Sequence, residues 1–185
     1  MKPDFISEYT KEDLFDVLLN EATWQERNSI RKECFMASEN APRVYSYGNN
    51  NELRTSRHTY EAEDMHPKVL ELMKKLNEDF GTEYNVCVLN YYADEKQHLG
   101  WHADNSPEQD LMHPIAVIAF GAERFIWTKK IGATGTVPDE DRYLLTKGSL
   151  FIMPGGYQDE YLHRIPKHDR PCGGRISLTF RKLDK

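Results

Sequence analysis

The run Arg175-Ile176-Ser177-Leu178-Thr179-Phe180-Arg181 alternates in period two: Ile176, Leu178 and Phe180 fall on one side of an extended strand, Arg175, Ser177, Thr179 and Arg181 on the other. A strand with two arginines on its polar side has two physical solutions. It can lie at a sheet edge with a wet basic face. Alternatively it lies inside a sheet with both guanidinium groups turned toward anions, because burying an arginine without one is costly. A dicarboxylate would meet both. Working back toward the N-terminus, five more runs have strand character: Asn85–Tyr92, Ile115–Phe120, Arg124–Thr128, Tyr143–Thr146 and Ser149–Met153. Gly, Pro, Asp and Asn clusters separate them. No stretch of helical period lies between these runs, which disfavours a parallel crossover sheet and predicts a mainly β chain, an antiparallel double-sheet barrel or jelly roll with flanking helices.

The helices belong to the N-terminal part. After a short strand at Phe5-Ile6, Thr10 is placed to cap a helix with Asp13 in its first turn, and Leu14, Val17 and Leu18 give it an apolar face. A second helix opens at Pro67, repeats Val69, Met73, Leu76 and Phe80 at helical spacing, and stops at Gly81. It reads as a brace against the sheet.

The chain has 185 residues, 39% of them hydrophobic, which is enough for one globular domain without disulfides. Cys34, Cys87 and Cys172 are odd in number and lack a paired spacing, which suits a reducing compartment. No apolar run approaches the ~20 residues of a membrane span, so the expectation is a soluble, intracellular (cytoplasmic) monomer with no membrane partner. A formal net charge of -6 excludes a protein that coats nucleic acid by bulk electrostatics. The charge is uneven, however. Seven basic and two acidic residues occupy Arg164 to Lys185, and Arg43, Arg54 and Arg57 face only Glu52 amid Tyr45, Tyr47 and Tyr60. Any polyanion contact would therefore be local, and a solvated surface accounts for both stretches equally.

His102-Ala103-Asp104 places an imidazole and a carboxylate at i and i+2, on one side of an extended segment. His163 follows the apolar Phe151-Ile152-Met153 run and the turn Pro154-Gly155-Gly156, from which an antiparallel return can bring it alongside. Two His and one carboxylate with open positions opposite suit non-haem Fe(II) and O2 chemistry. A chain with seven His and 30 acids also produces such a triplet by chance. Asn90 and Tyr92, again at i and i+2, add an amide and a phenol that can orient a carboxylate, although Tyr92 alone would serve equally as a core aromatic. Trp101, next to His102, is expected to point to the opposite face and serve as core, and His58, His66, His98, His113 and His168 are expected on the surface or at caps.

Taken together, Asn90-Tyr-Tyr92, Gly100-Trp-His102-Ala-Asp104, Phe120-Gly-Ala122, His163-Arg-Ile-Pro166 and Arg175-Ile-Ser-Leu-Thr-Phe-Arg181 resemble the AlkB-like Fe(II)/2-oxoglutarate dioxygenases, in particular the animal DNA and RNA demethylase branch. Pro42-Arg43 and the tyrosines after it resemble that branch's substrate-binding region. The resemblance implies a double-stranded β-helix (jelly roll) braced by helices, with residues 1–81 as a helical and substrate-binding extension and 82–185 as the catalytic core. It implies iron ligation by His102, Asp104 and His163. The distal carboxylate of 2-oxoglutarate would meet Asn90, Tyr92 and Arg175, and its metal-side carboxylate Arg181. Alkylated DNA or RNA, single-stranded or with a flipped base, would meet Arg43, Tyr45, Tyr47 and Arg57. Two positions depart from the pattern. Ser177, in the co-substrate site, stands where Asn is usual. Ser106, after Asn105, stands where an acid near the substrate base is common. The reaction implied is oxidative demethylation of N-alkylated bases using O2, with succinate, CO2 and formaldehyde as products. The alternatives are a 2-oxoglutarate-dependent hydroxylase of a protein side chain or small molecule, and a non-catalytic barrel that binds nucleic acid or protein.

Overall fold

The computed structural model describes residues 1–27, 30–48, 57–133 and 140–184, and for Arg27, Tyr47, Gly48, Arg57 and His58 it describes the backbone. The elements in chain order are β1 (Asp4–Ile6), α1 (Phe15–Glu21), β2 (Gln25–Arg27), β3 (Arg31–Ala37), β4 (Val44–Gly48), β5 (Arg57–Glu61), β6 (Glu63–Asp64) and α2 (Pro67–Phe80). There follow β7 (Val86–Tyr92), β8 (Leu99–His102), β9 (Ile115–Gly121), β10 (Arg124–Lys130), β11 (Glu140–Leu145), β12 (Leu150–Met153), α3 (Tyr157–Glu160), β13 (Tyr161–Ile165) and β14 (Arg175–Arg181).

The strands form a large sheet in the order β1-β12-β9-β14-β7-β3-β2, with β6 added alongside β3, a second sheet β11-β10-β13-β8, and the hairpin β4-β5. Every pairing except β3 with β6 is antiparallel. The jelly-roll expectation is met, and β14 takes the interior solution: it lies between β9 and β7 and is buried at every residue. Its apolar side, Ile176, Leu178 and Phe180, packs in one core with Leu18 of α1 and Val69, Met73 and Leu76 of α2. A second core lies between the sheets, where Val117, Ala119 and Phe151 meet Ile126, Leu145 and Ile165. Burying each large side chain of these layers contributes roughly 1.5–3 kcal/mol. The polar side of β14 is left facing the space between the sheets.

α2 begins and ends where its sequence places it: Pro67 is its first residue, the His66 side chain accepts the Lys68 N–H, and Gly81 adopts φ 62°. The first helix differs. Thr10 Oγ1 accepts the Glu12 N–H in a turn ahead of the helix, and Asp13 Oδ1 accepts the N–H of Phe15, where α1 starts. The segment expected as a helical extension also contributes β1, β2, β3 and β6 to the large sheet, and β3 pairs with β7 along six residues. Gly121, at the end of β9, has φ 83°, and a Cβ there would stand 2.3 Å from the Gly174 carbonyl oxygen. This close approach sets Gly174, and hence Arg175, against β9.

Candidate metal centre

β8 and β13 run side by side, and their register pairs His102 with His163. Asp104 lies two residues past the β8 strand end, its backbone N–H bound at 2.9 Å by the side-chain oxygen of Gln158 on α3. His102, Asp104 and His163 thereby meet: each offers a ligand atom, and these atoms all lie within 4.8 Å of one another. Nε2 of His102 is 3.6 Å from Asp104 Oδ1, and Nε2 of His163 is 3.6 Å from Oδ2. All three residues are buried.

The donor set fits a divalent cation. His102 Nδ1 lies 2.8 Å from the Gly100 carbonyl, which can only accept, so Nδ1 carries the proton and the Nε2 lone pair faces the cluster. Burial, reinforced by His163, pushes the His102 pKa down to about 3, so the imidazole is neutral at physiological pH. Burial alone would push the Asp104 carboxyl up. The Arg181 guanidinium, with the two imidazoles, overrides this and holds it well below the usual carboxylate range. Three lone-pair donors converge with open space in front of them, the arrangement of a two-His, one-carboxylate facial site.

That space is a cavity between the two sheets and the β4-β5 hairpin, lined by the triad and by Asn90, Tyr92, Arg175, Ser177 and Arg181 among others. The two arginines of β14 differ in their surroundings. Arg181 lies 3.0 Å from Asp104 Oδ1 and donates to the Tyr45 hydroxyl, so it belongs to the metal end. Arg175 is fully buried, and none of its three guanidinium nitrogens has a hydrogen-bond partner among the described residues. Desolvation pushes its pKa down to about 10. Its Cζ stands 5.6 Å from the ring centre of Tyr92. A buried cation with no anion in reach among the described residues can take an anionic ligand. Behind it, Arg124 donates to the carbonyls of Asp94, Gln97 and Pro166 and ties together the loops around this end.

Over residues 1–181 the chain matches the 2OG-Fe(II) oxygenase superfamily. The chain belongs to that family. The 2OG-Fe(II) oxygenase resemblance extends to curated relatives. The chain is 29% identical to "Alpha-ketoglutarate-dependent dioxygenase alkB homolog 3" of Bos taurus, over 98% of this chain and 64% of the relative. It is 34% identical to "DNA oxidative demethylase ALKBH2" of Mus musculus over 56% of this chain and 45% of the relative. It thus spans less than two thirds of these relatives' length. The solved structure titled "The structure of OsALKBH1" shares the fold at a TM-score of 0.62 and 14% identity, covering 97% of each chain. Among the described residues no helix of this 2OG-Fe(II) oxygenase is long and apolar enough to cross a membrane.

The substrate-side expectations sort differently. Tyr45 lines the cavity, but it is 1% exposed and stacks on Phe35, a wall of the cavity and no open stacking platform. Arg43 bonds the Ala62 carbonyl and pairs with Asp64 at 3.0 Å, bracing the hairpin away from the cavity. Ser106 is buried beside the Tyr45 hydroxyl. Tyr47 and Arg57 lie on β4 and β5, and their side chains fall outside the described residues. Trp101, expected in the core, instead lies on the outer face of the small sheet, with Lys129 and Arg164 over its ring. Reading the sequence missed β3 altogether, and with it Arg31 and Glu33, which line the cavity. The available signal was the apolar run Cys34-Phe35-Met36-Ala37, behind three charged residues that read as surface.

Proposed function

We propose that the protein is an iron(II)- and 2-oxoglutarate-dependent dioxygenase that oxidatively demethylates N-alkylated bases in DNA or RNA, with residues 1–185 acting as one catalytic domain. The observation that carries this reading is that a three-donor cluster and a buried arginine with no hydrogen-bond partner among the described residues line one cavity. His102, Asp104 and His163 would hold the iron. Arg175, Asn90 and Tyr92 would hold the distal carboxylate of the co-substrate, and Arg181 the carboxylate at the metal end. When bound, iron with 2-oxoglutarate and O2 supplies oxidation of an N-methyl C–H bond, with succinate, CO2 and formaldehyde as products.

The chain's own residues orient and exclude. The Gly100 carbonyl fixes the His102 tautomer. Arg181 keeps Asp104 ionised, and so available as a ligand, to very low pH. Phe35, Tyr45, Leu99, Val117 and Ile126 wall the cavity and keep bulk water from the reacting centre. Arg175 and Arg181 lie on the same face of one strand and both line the cavity, so a ligand carrying two anionic groups can meet a guanidinium with each. For a nucleic acid to present a base, the base must leave its stack to enter the cavity.

The test incubates the protein with Fe(II), 2-oxoglutarate, O2 and oligonucleotides bearing 1-methyladenine or 3-methylcytosine, and measures succinate and repaired base. Co-substrate-dependent loss of the methyl group is expected. Succinate without demethylation would move the substrate to a protein side chain or small molecule, a reading that Asn105 and Ser106 favour because neither brings a carboxylate to a cationic base. No succinate under any condition would remove the dioxygenase reading.

A further inference from the structure

The Asn90 amide lines the cavity on β7, one register pair from Glu33 on one side and Ser177 on the other. A carboxamide offers a carboxylate either a repelling oxygen or attracting N–H groups, so its orientation decides whether it helps or hinders binding of an anion. We propose that Arg31 is a positioning residue for the co-substrate, holding the Asn90 oxygen so that the amide N–H donors face the distal carboxylate. The proposal rests on the 2-oxoglutarate reading above and deepens it.

The chain supplies the geometry. Arg31 Nε lies 3.0 Å from Asn90 Oδ1. An arginine Nε has only a proton to give, so the oxygen must face it, and what Asn90 keeps for the cavity is its NH2 group. The reverse orientation would set donor against donor. Arg31 is itself anchored, its Nη2 paired with the buried Glu33 carboxylate, whose other oxygen accepts the Tyr60 hydroxyl at 2.7 Å. The Arg31 side chain is 12% exposed. A chain of donors and acceptors therefore runs from Tyr60 on β5 through Glu33 and Arg31 on β3 to Asn90 on β7. It fixes the polarity of one amide at the end of the cavity where Arg175 lies.

The experiment measures binding of two probes by calorimetry, without turnover, to the full chain loaded with Mn(II). 2-Oxoglutarate has the distal carboxylate. Oxalate chelates a metal but lacks it. Arg31→Gln can present either face of its own amide and leaves Asn90 free to turn; it is expected to weaken 2-oxoglutarate binding at least about tenfold and leave oxalate unchanged. Arg31→Lys, still donor-only, is expected to stay within about threefold of the native chain for both probes. Asn90→Ala added to Arg31→Gln should cost nothing further. Glu33→Gln, which loosens the anchor but keeps a partner for Tyr60, is expected to weaken 2-oxoglutarate alone by several-fold, and it carries the test if Arg31→Gln does not fold. Equal loss on both probes, no loss in Arg31→Gln, or losses that multiply with Asn90→Ala would overturn the proposal. Failure of the unmutated Mn(II)-loaded chain to bind 2-oxoglutarate would instead overturn the reading of the site itself.

Discussion

Replacing Arg175 by methionine should separate the stability of the protein from its function. In the ligand-free protein the guanidinium is fully buried, has no hydrogen-bond partner among the described residues, and has a pKa pushed down to about 10 by desolvation. Two to three pH units below the ordinary arginine value correspond to a penalty of about 3 kcal/mol on the charged form. Methionine is close in length, fills the same volume and removes that penalty, and replacements of buried ions by apolar residues typically gain about 1–4 kcal/mol. For a chain of this size each kcal/mol moves the melting temperature by about 2–4 °C. The metal-free Arg175→Met protein is therefore expected to melt roughly 2–16 °C above the native chain in a calorimetric scan. Saturating 2-oxoglutarate in the presence of Mn(II) should raise the native melting temperature through ligand linkage and leave that of the variant unmoved. A variant that melts below the native protein, or keeps the 2-oxoglutarate shift, would refute the view that Arg175 is an unpaired cation reserved for a ligand.

Three other outcomes follow from the same geometry. Asp104→Asn removes the carboxylate that lies 3.0 Å from the buried Arg181, and should both abolish tight Mn(II) binding and destabilise the metal-free chain by about 3–5 kcal/mol, read by urea denaturation. The His102 pKa is near 3 in the fold against an ordinary value of 6.5 in the unfolded chain, so between these values the unfolded state binds more protons. Stability of the metal-free protein is then fully present above about pH 6.5 and falls as the pH drops toward 3, with Asp104 adding to the loss below its ordinary range, and His102→Leu should flatten the profile between pH 6.5 and 4.5. Gly121→Ala should cost more than about 1–3 kcal/mol in the same denaturation assay, because its φ of 83° is strained for alanine and the new Cβ would meet the Gly174 carbonyl at 2.3 Å.

Much of the architecture could be read in advance wherever one physical rule acted alone. β14 alternates because one of its faces meets α1 and α2 and the other meets the cavity. The limits of α2 are set by a proline that needs no N–H partner and a glycine that adopts a left-handed turn. The sequence puts the start of α1 too early because Thr10 and Asp13 both look like caps, and a hydroxyl that closes a local turn has the same sequence signature as one that caps a helix. β3 escapes the sequence reading, and β8 and β13 enter it only as an extended segment at His102 and an antiparallel return at His163, because polar residues interrupt the strand pattern in all three. Glu33 is charged yet buried and Arg31 half-buried, since they pair with each other. β8 and β13 are short and are interrupted by the polar ligands they carry. Trp101 faces away from His102 as alternation requires, but that face carries the long side chains of Lys129 and Arg164 over the ring in place of an apolar core. The triad and the β14 arginines were legible as types at a spacing. Which arginine would find a protein anion and which would not depended on where Asp104 lands after β8, which no local pattern encodes.

The most direct test is one titration, in which the protein receives Fe(II) under anaerobic conditions, then 2-oxoglutarate, while visible absorption is followed. A charge-transfer band that saturates at one equivalent of each, is absent in His102→Ala, and is lost in Arg175→Met is the predicted result. No band in the native chain, or an undiminished band in His102→Ala, would contradict the claim that these three side chains hold a metal facing a two-anion ligand.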